Sequence, residues 1–314
     1  MKTSYEIIKK NLIIFVILMA TGLTSPARAQ APSLRILCST FPVYQITRNI
    51  IQGREGSSAA LMLPAHLGCP HDYVLTPKDM HLLAAADIFI INGLGLEQFL
   101  GLPLRQANPE ITVIDSSQGA SVILASEDKK SSHDDHDHGH NAPNPHLFAS
   151  PRQAAKIAIS IARELSRIDP DGKEIYLRNS ETYAEKMNAL AQEFTTLAST
   201  LSSKKIITQH SVFDYLARDM GLDVVAVIES DPGQEPSASE MIALIKTAKA
   251  SQAKAIFAEP QYPSRVIQTI AKEIGIASAT LDPVATGPDD ADLDYYEKVM
   301  RDNMDTLSST LGAR

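Results

Sequence analysis

From Lys173 to Leu201 the chain contains neither glycine nor proline, and Tyr183, Met187, Leu190, Phe194, Leu197 and Leu201 recur at alternating spacings of four and three. Such spacing places all six side chains on one face of an α-helix. The stretch predicts a single amphipathic helix, about 40 Å long at 1.5 Å per residue. A rod of that length divides the chain into two parts. On each side of it, short β-branched runs alternate with helical stretches, the pattern of an α/β lobe with a mostly parallel sheet.

Before the rod, Leu34–Cys38, Ala59–Leu63, Ile88–Ile91 and Ile111–Ile114 read as strands. After it, Ile206–Thr208, Val224–Ile228, Ala255–Ala258 and Ala279–Leu281 do the same. Helix starts are marked at Thr76-Pro77-Lys78-Asp79, Ser150-Pro151-Arg152-Gln153 and Ser237-Ala238-Ser239-Glu240 by a capping hydroxyl with an acid or amide three residues on. The expected fold class is therefore α/β, with two lobes, each a mostly parallel four-stranded sheet with flanking helices, joined by one long rigid helix. Residues 30–168 make the first lobe, 169–203 the linker and 204–314 the second lobe.

Residues 1–29 read as a secretory signal peptide. Lys2, Lys9 and Lys10 give the basic start, Leu12 to Leu23 the apolar stretch, and Ala27-Arg28-Ala29 the cleavage site. The apolar stretch is shorter than the roughly 20 residues a bilayer span needs. No cysteine follows it to take a lipid, so a periplasmic location is favoured over a surface lipoprotein. The net charge of −8 becomes more acidic once the basic leader is removed, which argues against nucleic-acid partners and anionic membranes. In an oxidising compartment the two cysteines, Cys38 and Cys69, are expected to form a disulfide that pins the loop carrying His71, with thiolates joining a metal site as the rival reading.

Four residues scattered along the chain carry the functional reading: His71 in Cys-Pro-His-Asp-Tyr, His146 in Asn-Pro-His-Leu-Phe, His210 in Thr-Gln-His-Ser-Val-Phe, and Asp282 in Leu-Asp-Pro-Val. Each follows a short apolar run, the place where α/β sheets bind ligands, outside the carboxyl ends of the strands. Three imidazoles and a carboxylate make a tetrahedral set suited to Zn²⁺. Four protein ligands leave no open position for a reacting water, so the set suits a carrier and not an enzyme. Residues 121–143 form a polar, low-complexity tract that cannot bury a core, and are expected to be a disordered loop. Its His133, His136, His138 and His140, interleaved with aspartates, would gather metal without fixed geometry.

The chain resembles the periplasmic solute-binding proteins of zinc and manganese ABC importers, the group with a helical backbone between its lobes. The resemblance covers essentially everything after the leader. It rests on Pro70-His71-Asp72-Tyr73 with Thr76-Pro77, on Pro145-His146 with Ser150-Pro151, on Gln209-His210 with Phe213, on Glu259-Pro260-Gln261, and on Asp282-Pro283. It implies that His71, His146, His210 and Asp282 hold the transported metal. Manganese members of the group commonly carry glutamate where His210 stands, so the softer imidazole points to zinc. A histidine-rich loop in the first lobe is typical of the zinc members. The family usually has aspartate at position 144, so Asn144 removes a carboxylate that would orient a ligand.

Glu259 is expected to support a ligating imidazole, with direct ligation as the rival role. Asp72 is expected to orient its loop, and His66 and His81 to be structural or surface residues. The resemblance implies an ABC permease in the inner membrane as partner; a monomeric state and, as an optional donor, a periplasmic metallochaperone are also expected. A manganese receptor of the same group, and a zinc buffer or adhesin without a transporter, remain alternatives. A zinc hydrolase is disfavoured, because it would need an open coordination position and a general base, and no His-Glu-x-x-His helix occurs.

Overall fold

The computed structural model describes residues 33–68, 70, 73–124, 142–228 and 237–312. In chain order these form β1 (Leu34–Cys38), α1 (Phe41–Ile51), β2 (Ser57–Leu61), α2 (Pro77–Ala85), β3 (Ile88–Ile91), α3 (Gly101–Ala107), β4 (Thr112–Asp115), α4 (Pro151–Ile168), α5 (Lys173–Thr200), β5 (Lys205–Thr208), α6 (Asp214–Met220), β6 (Asp223–Val227), α7 (Ala238–Ser251), β7 (Ala255–Ala258), α8 (Arg265–Ile274), β8 (Ala277–Thr280) and α9 (Tyr295–Leu311). The strands make two four-stranded sheets, ordered β2-β1-β3-β4 and β6-β5-β7-β8, and every pairing is parallel. The second half of the chain thus repeats the strand order of the first.

Parallel strands are covered on both faces, so they read as continuous apolar runs. Successive side chains nevertheless separate onto the two faces of each sheet. Ile36, Cys38, Ile88, Ile90, Ile206 and Phe257 point into one core shared by both lobes. Their neighbours Leu37 and Phe89 pack into a smaller outer cluster of the first lobe, and Ile207 and Ile256 into one of the second. The shared core is built on α5, whose Tyr183, Met187, Leu190 and Phe194 are all buried in it. The helix expected from periodicity is therefore present, and it is the spine against which both lobes pack. Among the described residues no helix is long and apolar enough to cross a membrane.

Several boundaries differ from expectation. β2 ends at Leu61, level with Cys38 in the ladder, because the parallel register runs Leu34 to Ser57 through Cys38 to Leu61. Helix α3 has no equivalent in the sequence reading. Thr76 and Ser237 both form complete capping boxes. Ser150 does not: its hydroxyl donates to Asp219 Oδ2 on α6 at 2.7 Å, joined there by Gln153 Nε2 at 2.6 Å. A side chain that would have capped its own helix ties the two lobes together instead.

The tract expected to be disordered from 121 to 143 has ordered ends. Leu124 bridges Pro143 in antiparallel fashion, and the Asn144 N–H donates to Ile123 O at 2.8 Å. Residues 125–141, with His133, His136, His138 and His140, lie outside the described residues, as does the leader. The disulfide expectation needs correction. Cys38 is a free thiol with 0 % exposure, and burial pushes it up to about 12. Its side chain faces the shared core at the end of β1, turned away from solvent; Cys69 lies outside the described residues.

Candidate metal centre

The parallel order of the second sheet decides what meets at its carboxyl edge. β5, β7 and β8 are adjacent, and the chain leaves them through His210, Glu259 and Asp282 respectively. His210 is 2 % exposed and Glu259 is 1 % exposed. The His210 Nδ1–H donates to Glu259 Oε1 at 2.7 Å. Glu259 Oε2 in turn accepts from Gln261 Nε2 at 2.8 Å, and the Glu259 N–H donates to Gln209 Oε1 at 3.1 Å. The carboxylate thus stands behind the imidazole and fixes which ring nitrogen carries the proton.

Asp282 is held from both sides. Its N–H donates to Asn303 Oδ1 at 2.9 Å, and its own Oδ1 accepts the Val284 N–H at 2.7 Å. Val284 has φ +62, an unfavourable conformation for a β-branched residue that costs roughly 1–3 kcal/mol. The turn that carries Asp282 is therefore strained and kept in place by its surroundings. Burial, reinforced by the nearby Glu259 carboxylate, pushes Asp282 up to about 6. A carboxylate that resists ionisation in this position is one that a neighbouring cation would relieve.

His146 does not leave a strand end. It opens a short 3-10 turn, Leu147–Ala149, that leads into α4. Its ring, 2 % exposed, meets His210 edge to face with centroids 4.7 Å apart, and the two Nε2 atoms are 3.3 Å apart. His146 Nδ1 lies 2.8 Å from Asn144 Oδ1, which also accepts the His146 N–H at 3.0 Å. The amide oxygen of Asn144 therefore supplies the acceptor that the usual aspartate would have supplied, and the expected loss of orientation at this position does not occur.

His71 and Asp72 lie outside the described residues. The chain beside them is placed, however: Pro70 is buried, and a Cβ added to Gly68 would sit 3.2 Å from Gln261 Cγ. The segment leading to His71 thus reaches across to the loop that follows Glu259. Among the described residues no three His, Cys, Asp or Glu side chains gather closely enough to hold a metal. The structure pairs His146 with His210 and His210 with Glu259, and Asp282 lies near enough to Glu259 to feel its charge. His66 and His81 are exposed.

Sequence reasoning missed Glu97. Its buried carboxylate accepts from Ser39 Oγ at 2.7 Å and from the Asn92 and Gly93 N–H groups at 2.7 and 3.1 Å. Burial outweighs those three donors and holds it above the usual carboxylate range. Asn92 Nδ2 then donates to Pro145 O at 2.9 Å, so this cluster braces the residue before His146. The signal was visible in Asn92-Gly93-Leu94-Gly95-Leu96-Glu97, a glycine-rich turn leaving an apolar strand.

Two four-stranded lobes on one helical spine, with polar side chains gathered at the strand ends between them, have the architecture of a solute-binding protein. The chain belongs to the family of ZnuA, the periplasmic component A of zinc-uptake complexes, whose family model matches residues 36–310. Its members are transport components and not enzymes. The chain is 31% identical to the high-affinity zinc uptake system protein ZnuA of Bacillus subtilis (strain 168), over 95% of this chain and 94% of that protein. A crystal structure of ZnuA superimposes with a TM-score of 0.74 at 28% identity, covering 89% of this chain and 100% of that one. The solute-binding protein FpvC of Pseudomonas aeruginosa, solved in complex with Mn²⁺, superimposes with a TM-score of 0.78 at 29% identity, covering 88% and 98%.

Proposed function

We propose that the protein captures Zn²⁺ between its lobes with His71, His146, His210 and Asp282, and delivers it to an ABC permease of the inner membrane. One observation carries this reading. Both imidazoles have their Nδ1–H committed to oxygen acceptors, Asn144 for His146 and Glu259 for His210. Each neutral ring then keeps its Nε2 lone pair for a ligand, and the two Nε2 atoms lie 3.3 Å apart inside the protein. Tetrahedral Zn²⁺ with Zn–N bonds of 2.0–2.1 Å separates two ligating nitrogens by about 3.3 Å. The gap is already the size of the ion's bite.

His71 and Asp282 complete a set of four, which leaves no position for a reacting water and suits binding and release over chemistry. Glu259 supports His210 from outside the coordination sphere. The leader, residues 1–29, directs the chain to the periplasm, where it acts as a monomer, with a periplasmic metallochaperone as an optional donor. His133, His136, His138 and His140 serve as a secondary collecting tract. Manganese is the second reading, favoured by the FpvC–Mn²⁺ likeness; the imidazole pair argues for zinc, since carboxylates suit manganese better.

Metal content of protein purified without chelator, followed by competition between Zn²⁺ and Mn²⁺, tests the assignment. Zinc is expected to dominate and to be lost in His210→Ala. More manganese than zinc overturns the selectivity, and retention of zinc by His210→Ala overturns the site.

A further inference from the structure

Asn144 is 8 % exposed and makes a polar contact at every position it can. Its Oδ1 accepts the His146 N–H and the His146 Nδ1–H. Its Nδ2 donates to Ser211 O at 2.8 Å and to Asp214 Oδ2 at 3.3 Å. Its backbone carbonyl accepts the Tyr215 hydroxyl at 2.7 Å. The orientation of the amide is fixed by its backbone partners. A backbone N–H on one side demands an acceptor, and a backbone carbonyl on the other demands a donor. With the amide fixed, His146 Nδ1 has to be the protonated nitrogen and Nε2 the one with the lone pair.

The two ends of this amide also belong to different halves of the cleft. Ser211 directly follows His210 and opens the 3-10 turn Ser211–Phe213 that precedes α6. One side chain therefore touches the ring of His146 and the peptide next to His210. Asp214, at the start of α6, adds a further constraint. A carboxylate in place of the Asn144 amide would face both the Ser211 carbonyl and the Asp214 carboxylate, with no proton to offer either.

We propose that Asn144 is a positioning residue that locks His146 in its Nδ1–H tautomer and sets its distance to His210, and that Asp214 dictates an amide there in place of a carboxylate. This rests on the metal-binding role of His146 proposed above. It adds a residue pair, 144 and 214, whose chemical identities have to be chosen together. The pair acts through the imidazole and not on the metal.

Two measurements test it. The ¹⁵N shifts of His146 in the metal-free protein report the tautomer directly; Nδ1–H alone is expected, with a mixture of tautomers in Asn144→Ala. An Nε2–H tautomer in the unsubstituted protein overturns the lock, whatever the cargo. Zinc affinity of Asn144→Asp is expected to fall about 10–100-fold, the usual loss for an outer-shell partner. Asn144→Asp combined with Asp214→Asn is expected to recover part of it, because the second change removes the facing carboxylate and restores a donor there, while the Ser211 carbonyl stays without one. Asp214→Asn alone supplies the fourth corner of the cycle. Wild-type affinity in Asn144→Asp, or a double variant no better than the single one, overturns the role of Asp214. Absence of zinc binding by the unsubstituted protein would instead refute the function proposed above and leave the tautomer result standing.

Discussion

Asn303, buried on α9, holds the peptide groups of Asp282 with both ends of its amide: Oδ1 accepts the Asp282 N–H at 2.9 Å, and Nδ2 donates to Asp282 O at 2.7 Å. The last helix of the chain thus fixes the turn that follows β8. Asn303→Ala strands a backbone donor and acceptor together, and such groups cost about 1–3 kcal/mol each when left unpaired. Thermal unfolding of the metal-free protein should show that loss. Zinc affinity should fall with it, because the strained Val284 turn no longer holds Asp282 in place. An unchanged affinity at reduced stability would separate Asp282 from the site.

Removing a ligand differs in size from removing a support. His146→Ala and His210→Ala should each lower zinc affinity by more than the roughly 10–100-fold expected of an outer-shell residue such as Glu259. His81→Ala, an exposed imidazole on α2, should leave it unchanged. Competition with a chromogenic chelator reads all three. Equal losses for His81 and His210 would mean that affinity follows histidine number and not position.

The closeness of the lobes rests partly on Gly287. Its N–H donates to Ala65 O across the interface at 3.0 Å, and a Cβ on it would lie 2.1 Å from Phe41 Cζ. Around it, Arg48 Nη1 donates to Ala291 O at 2.6 Å and Asn49 Nδ2 to Leu293 O at 3.0 Å, while Gln45 donates to Asp292 O. Gly287→Ala should destabilise the protein by about 1–3 kcal/mol, the usual cost of overpacking. Phe41→Leu in the same chain should recover part of that loss. Chemical denaturation of the four combinations measures the coupling.

The foot of the spine is tied by an ion pair. Arg54 Nε lies 2.8 Å from Asp169 Oδ2, and the Tyr176 hydroxyl donates to the same oxygen at 2.6 Å. The Arg54 guanidinium holds Asp169 below the usual carboxylate range. A carboxyl lowered on folding gives stability that is present above its unfolded value, near 3.9, and lost as pH falls through its folded value. Asp169→Asn should therefore destabilise at neutral pH, and the difference from wild type should shrink as pH drops below about 4. A gap that stays constant with pH would assign the effect to packing.

The α/β class, the spine and the repeated strand rhythm were legible in the chain because each rests on local periodicity. The apolar stripe of α5 could form only one kind of element, and the runs around Ile90 and Ile207 could form only buried strands. The leads to His146 and His210 were also visible, as imidazoles beside proline or glutamine, although only His210 follows a strand. Boundaries such as the end of β2 were not, since hydrogen-bond register with β1 sets them. Glu97 went unnoticed because a lone glutamate in a glycine-rich turn carries no mark of its burial.

The sequence by itself determined that two similar lobes would flank a long helix, because spacing of apolar residues acts within a few turns or strands. Only the tertiary structure decided that Ser150 would leave its own helix for Asp219, that Cys38 would face the core, and that Asn144 would serve both His146 and the turn after His210. Those choices join residues far apart in the chain. They follow from which strands lie side by side and how the lobes close on α5, a matter of packing that no local pattern encodes.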